Sequence, residues 1–156
     1  MTRGVSSADV DTYSSLYPLA DTAFHASIMR NNIQTQDLAF YRYALENARF
    51  FANVVYCHFT QGCAQNLLGI IGDFFLSVRE VEFVVLSALN ENRVHFSVRS
   101  ERFDWDASTI IQDALEGIGG GGGHAAMAGG IVPDAACFDV QDAHNRFLNA
   151  LGMARA

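Results

Sequence analysis

Apolar residues along this chain switch between the three-to-four-residue spacing of helices and the alternation of strands, and the switches mark its elements. Ser7 or Asp9 is placed to cap a short helix that ends before Pro18, and Asp21 to cap another running toward Arg30. Thr35 precedes QDLAFYRYALENARFF, where Leu38, Tyr41, Leu45 and Ala48 recur at helical intervals and predict an amphipathic helix. Asn53 to Thr60 (NVVYCHFT) is β-branched and aromatic, and predicts a strand. Residues 64 to 77 (AQNLLGIIGDFFLS) predict a helix; Gly69 and Gly72 weaken it but permit close packing.

The clearest feature is a hairpin made of VEFVVLSAL, the turn residues 90 to 92 (NEN) and RVHFSVRS. Its second strand alternates strictly. Val94, Phe96 and Val98 are expected to face a core, which gathers Arg93, His95, Ser97 and Arg99 on the other face. Asp106 is expected to cap a helix from Ala107 to Leu115, closed by Gly117. Five glycines, 119 to 123, follow. The small residues beyond them suggest a short helix before a strand at Ile131 and Val132, and Asp139 opens a last helix toward Met153. The sum is an α/β fold: a mixed β-sheet of about five strands flanked by helices, with a helical connecting segment over residues 1-34 and the main domain at 35-156. No internal repeat is visible.

Composition narrows the function classes. A chain of 156 residues with 50% hydrophobic and 17% charged positions is long and apolar enough for a real core. The formal charge of -7 provides no general attraction to a long phosphate backbone, so a nucleic-acid ligand would be short and locally held. Cys57, Cys63 and Cys137 are an odd number without a CxxC pair, which fits a reducing, cytoplasmic setting. The opening MTRGVSSADVD has no signal-peptide pattern, and Asp73, Arg79, Glu80 and Glu82 interrupt the most apolar stretch, so no membrane partner is expected.

The glycine run GIGGGGGHAAMAGG (117 to 130) is the candidate site. A tether is a poor reading, because too little chain follows to make an independent domain. A dinucleotide fingerprint requires a preceding strand, whereas a helix is expected here, and a P-loop would end in GK[ST] rather than histidine. What remains is anion binding. Consecutive glycine N–H groups approach a phosphate closely, and a helix N-terminus behind them would favour negative charge. His124 adds a donor, and Arg99, on a strand, adds a planar fork that matches phosphate.

At these residues the sequence resembles a known family. HFSVRSE (95 to 101), the capped helix, and GGGGGHAAMAGG (119 to 130) are similar to the DHH-associated (first type) C-terminal domain of DHH-family phosphoesterases. That family includes RecJ-like exonucleases, oligoribonucleases and exopolyphosphatase-related proteins. The likeness spans about residues 35 to 135; GGH followed by Ala128 and Gly129 is its most specific part, and Met127, where alanine is commoner, departs from the pattern. The resemblance implies a substrate-binding domain whose Arg99, Gly121, Gly122, Gly123 and His124 hold a phosphate, with Ser97 and Ser100 as weaker candidates. It also implies that catalysis, with manganese, belongs to an N-terminal Asp-His-His domain. This sequence contains no Asp-His-His, and its stretch TRGVSSADVDTYSSLYPLAD resembles the chain leaving that domain. The expectation is therefore a substrate-binding half with no catalytic or metal-binding residue of its own, inactive alone, taking a short oligonucleotide or phosphorylated nucleotide. The resemblance leaves room for a homodimer. A second reading is a non-catalytic nucleic-acid-binding or oligomerisation module, since the same associated fold occurs in alanyl-tRNA synthetases; the acidic balance counts against a basic RNA surface.

Several residues have plainer readings. Cys57 and His58 are adjacent on a strand and point to opposite faces, which argues against a zinc site with Cys63. Trp105 is expected to pack under the capped helix, His25 and His144 to be exposed on helices, and one of Tyr41 and Tyr43 to lie at the surface.

Overall fold

The computed structural model describes residues 5–30 and 33–153. The first four residues of the opening segment, discussed above as the exit from another domain, lie outside them. The chain divides into two compact units, residues 1–38 and 39–156.

In the first unit α1 (Ser7–Leu16) is capped by Ser6, one residue before the expected position, and Asp9 completes a capping box by accepting from the Ser6 backbone at 2.8 Å. α2 (Thr22–Arg30) starts at Asp21, whose carboxylate accepts from the Phe24 amide at 2.9 Å. Neither the α1 residues nor the turn after them are buried.

The second unit is a six-stranded mixed sheet with helices on both faces. Its strands are β1 (Arg49–Phe51), β2 (Val54–Phe59), β3 (Phe83–Asn90), β4 (Arg93–Ser100), β5 (Gly120–His124) and β6 (Met127–Val132), in the order β1-β2-β3-β4-β6-β5. Only β2 and β3 run parallel, joined by the crossover helix α4 (Gln65–Leu76). β3 is buried along both faces for most of its length, which explains an apolar run interrupted only by Ser87 before its end at Asn90. α4 covers one face and packs with Val55, Cys57, Phe59, Val84 and Leu86. α5 (Ala107–Leu115) and α6 (Val140–Ala150) cover the other with Val85, Val94, Phe96 and Val98. Asp106 and Asp139 cap them through the amides of Thr109 and Asp142.

The structure departs from the sequence expectations in several places. The helix α3 (Leu38–Asn47) stops short of the expected QDLAFYRYALENARFF run, and Arg49–Phe51 turns through Ala52, at φ 51°, to pair with β2. Pairing with an apolar neighbour strand outweighs local helix preference here and adds the sixth strand. On α3 the inward stripe is the buried Ala44 with the partly buried Phe40, Tyr41 and Tyr43, continued by Ala48 just beyond the helix, while Leu38 and Leu45 are exposed. Both tyrosines are therefore half-buried; Tyr43 stacks on Phe59 at 5.3 Å. His144 is not exposed either, because its ring lies 4.9 Å from that of Tyr56. Trp105 does pack under α5, edge-on to Phe83 with the Arg102 guanidinium 4.2 Å above it.

The largest departure follows the glycines. No short helix forms there. The run is itself β5, turning through Ala125 and Ala126 into β6, and the turn is fixed by bonds from the Ser100 and Ala107 amides to Ala126 and Ala125 carbonyls. Small residues serve close approach: a Cβ on Gly130 would meet Ile111 at 2.7 Å and Leu115 at 2.8 Å, so their absence lets α5 press against the hairpin. At Gly119 a Cβ would stand 2.4 Å from the Ile131 carbonyl oxygen, a backbone atom that cannot swing aside. Gly119→Ala is therefore expected to cost about 1–3 kcal/mol in urea unfolding, whereas Gly120→Ala, with open space around it, should change stability by about 1 kcal/mol or less.

Candidate functional site: a guanidinium in a helix–strand cleft

Strand alternation puts Ser97 and Arg99 on the α4 face of β4, opposite Leu86 and Val84 on β3. An apolar helix would bury an arginine there at high cost. α4 instead presents Gly69 and Gly72 to it: a Cβ on Gly69 would lie 2.6 Å from Arg99 Nη2, and one on Gly72 would lie 3.2 Å from Arg99 Cγ. The arginine stem runs along this bare stripe. Its Nε donates to Asp73 Oδ1 at 2.6 Å, and Nη1 donates to Ser97 Oγ at 3.1 Å and to the Val98 carbonyl at 3.2 Å. Nη2 has no hydrogen-bond partner among the described residues. The side chain is 15% exposed and the Asp73 carboxylate 63%, so the fork is held from one side and open on the other.

Around Nη2 lies a cleft of about 300 Å³, formed by Gln65, Asn66, Gly69 and Asp73 of α4, Ser97 and Arg99 of β4, and Ala128 and Gly129 of β6. The first turn of α4 forms one end. Its cap position, Ala64, offers no side chain to the helix amides, which leaves their partial positive charge directed outward. The helix start is firmly placed: Gln65 Nε2 donates to the Phe96 carbonyl at 2.9 Å, and Asn90 bonds both the amide and the carbonyl of Cys63 at 2.9 Å. Arginine fork and uncapped helix end together make an environment suited to an oxyanion.

The other sequence candidates occupy different positions. Ser97 is buried and acts on Arg99 by accepting a hydrogen bond from its Nη1. Ser100 points to the opposite face and exchanges bonds with Arg102 backbone atoms, so it is not brought to the cleft. Gly122 lies beside the cleft residue Gly129, Gly123 beside Ala128, and Gly121 has its bare face against Ile111. Gly123 has φ 154°, and a Cβ would stand 2.5 Å from the Met127 carbonyl oxygen, which fits only glycine. His124 is exposed and pairs with Met127, which pairs with Arg99. The imidazole and the guanidinium thus belong to one cross-strand row, two strands apart, about 10 Å between backbones, with Met127 between them. They open to the same side without touching. His95, on the same face, is half-buried beside Ile131 and outside the cleft.

Sequence reading missed the contribution of α4. The signal was there: Gln65, Gly69 and Asp73 recur every four residues, a polar and bare stripe on an otherwise apolar helix. Among the described residues, no three His, Cys, Asp or Glu side chains converge on a point where a metal ion could be held, so these residues do not fit a manganese site. Nor is any described helix long and apolar enough to cross a membrane.

The fold and the sequence that builds it fall within a known domain class. The DHHA1 domain model matches residues 50–153, and the chain belongs to that family. Among solved structures, an exopolyphosphatase-related protein from Bacteroides fragilis aligns with TM-score 0.65 and 18% identity over 88% of this chain and 40% of its own. The C-Ala domain of Aquifex aeolicus alanyl-tRNA synthetase aligns with TM-score 0.55 and 16% identity over 67% of this chain and 97% of its own. A DHH-domain protein described as a member of the s1p family of ribosomal proteins gives TM-score 0.52 and 17% identity, over 78% of this chain and 31% of its own. At such identities these likenesses speak for the fold. The chain spans less than half the length of the first and third. No curated protein sequence matches it.

Two half-buried histidines outside the cleft couple stability to pH. Burial lowers the pKa of His58, and burial followed by the nearby Arg49 charge lowers that of His144. A depressed folded-state value means that the unfolded chain binds more protons below about pH 6.5, so stability present above that pH is lost as pH falls toward the folded values. The urea midpoint is expected to drop between about pH 7.5 and pH 5.5, and His144→Phe, which keeps a ring against Tyr56, should flatten part of that drop.

Proposed function

We propose that this domain is the substrate-binding half of a DHH-family phosphoesterase, and that the cleft around Arg99 receives a phosphate of a short oligonucleotide or phosphorylated nucleotide. The observation that carries the reading is the guanidinium itself: Asp73 and Ser97 fix its orientation from behind, while Nη2 is left without a partner at the cleft wall. Arg99 grips the phosphate, Ser97 positions Arg99, and the first turn of α4 adds amide dipoles. Along the β5 edge from Gly121 through Gly122 to Gly123, the alternate amides that face away from β6 offer backbone donors to a neighbouring part of the same ligand. His124, one row along, contacts the next phosphate or its ester oxygen.

In this reading the bond-breaking chemistry, and the manganese that supports it, belong to an N-terminal DHH domain of the same cytoplasmic protein. The domain described here orients the phosphorus centre and hydrolyses nothing alone. Orientation of this kind is a real catalytic contribution, because it turns a bimolecular encounter into a fixed geometry. A homodimer is compatible with the proposal and not required by it.

Titration with a 5′-phosphorylated dinucleotide, followed by calorimetry, tests the cleft. Arg99→Ala is expected to weaken binding roughly ten- to hundredfold, the loss of a charge-assisted fork, and His124→Ala roughly three- to tenfold. Gly69→Ala, whose Cβ would displace Nη2, should act in the same direction as Arg99→Ala. Unchanged affinity in Arg99→Ala would remove the cleft from the assignment, and unchanged affinity in His124→Ala would remove the histidine alone.

A further inference from the structure

At the sheet edge remote from β5, a second polar cavity lies on the other face of the sheet. It exists because β1 is short. Arg49–Phe51 pairs only with Val54–Tyr56, so the outer edge of β2 beyond Tyr56 has no strand beside it. The Tyr43 hydroxyl donates to the His58 carbonyl at 3.2 Å and closes part of that edge. The rest is a cavity of about 190 Å³ bordered by Tyr43, Asn47, Arg49, Tyr56, His58 and Thr60. With about 30 Å³ for a water, the space suits one small polyatomic ion and a few waters.

Asn47 donates to the Tyr43 carbonyl and His58 Nδ1 is bonded to Ser87, but one lining group and one ring behind it are not satisfied from within the protein. Tyr56 is 2% exposed, yet its hydroxyl has no hydrogen-bond partner. The nearby Ser87 oxygen, which bonds His58 Nδ1 at 2.9 Å and keeps lone pairs of its own, offsets only a little of the burial that pushes this hydroxyl up to about 12. His144, stacked on Tyr56, has both ring nitrogens buried and unpartnered. Arg49 stands directly across from Tyr56 on β1 and spends one nitrogen on Gln141 at 2.6 Å, which leaves further N–H groups. The charge of Asp139 also reaches Tyr56, but its carboxylate is engaged in capping α6 at 2.7 Å. Buried polar groups without partners carry a desolvation cost that a bound ligand would remove.

We propose that this cavity is a second ligand site, for a small phosphate-type oxyanion, separate from the Arg99 cleft. Arg49 supplies the charge, the Tyr56 hydroxyl supplies a neutral donor, and the Thr60 hydroxyl, now 3.4 Å from that of Tyr43, can turn its proton to the ion. With Nδ1 accepting from Ser87, the His58 Nε2–H is a further donor. The site owes nothing to the glycine hairpin, and it stands or falls independently of the function proposed above.

The test is an NMR titration of the full 156-residue chain with inorganic phosphate, at ionic strength held constant with chloride. Saturable shifts at His58 and Thr60 are expected, unaffected by Arg99→Ala and weakened tenfold or more by Arg49→Ala. Tyr56→Phe, which keeps the ring packing and removes only the hydroxyl, should weaken them roughly threefold to tenfold. Two results would overturn the site: no saturable shift at His58 and Thr60 near about 10 mM phosphate, where a millimolar site would be filled, or shifts that survive unchanged in both Arg49→Ala and Tyr56→Phe.

Discussion

The contact between the bare face of α4 and the Arg99 side chain governs the cleft. A helix lying on a sheet normally fills the gap with apolar side chains, and an arginine in that gap would displace them. Here two glycines, each less favourable than alanine in a helix by about 1 kcal/mol, leave a channel of the right width. The guanidinium that occupies it is shielded from water on its protein side and tied to Asp73 and Ser97. Remove the channel and the charge has nowhere to lie between helix and strand. The apolar pattern of the surrounding core, with Val84, Leu86, Leu68 and Ile71 buried nearby, then has no means of accommodating it.

Glycine thus appears in two architectural roles on one sheet. In α4 it admits a side chain from the strand beneath. In the β5–β6 hairpin it admits a helix, because Ile111 and Leu115 of α5 sit where Gly130 would otherwise carry a Cβ. The long run before His124 looks like a ligand loop when read as sequence, but much of its composition answers to packing. Its outer edge still carries unpaired backbone groups on the side away from β6, as an edge strand does.

Much of the fold was legible because its signals were local. The hairpin of β3 and β4 followed from strict alternation and a turn triplet, and the caps at Asp21, Asp106 and Asp139 followed from residue type and position. What sequence reasoning lost depended on distant partners. β1 is a strand because β2 lies beside it, and the residues after His124 form β6 because β4 offers an edge; neither fact is written in the local propensity of RFF or MAGGIV. The site divided along the same line. Arg99 and its face were visible from alternation, while Asp73 and Gly69 entered only when the crossover helix was laid over the strand. Ser100, one position from Arg99, was carried to the opposite face by the pleat that made Arg99 readable.

The Asn90 and Gln65 bonds that pin the start of α4 have a thermodynamic consequence. They fix the helix end to β3 and β4 at atoms adjoining the cleft, so wall and floor move as one body. Association ordinarily sacrifices loop and rotamer freedom, on the order of 1 kcal/mol for each side chain immobilised. Under the proposed function, a receptor whose arginine, helix terminus and supporting amides are already held would surrender little of that entropy on meeting a phosphate, and its selectivity would rest on shape held in advance.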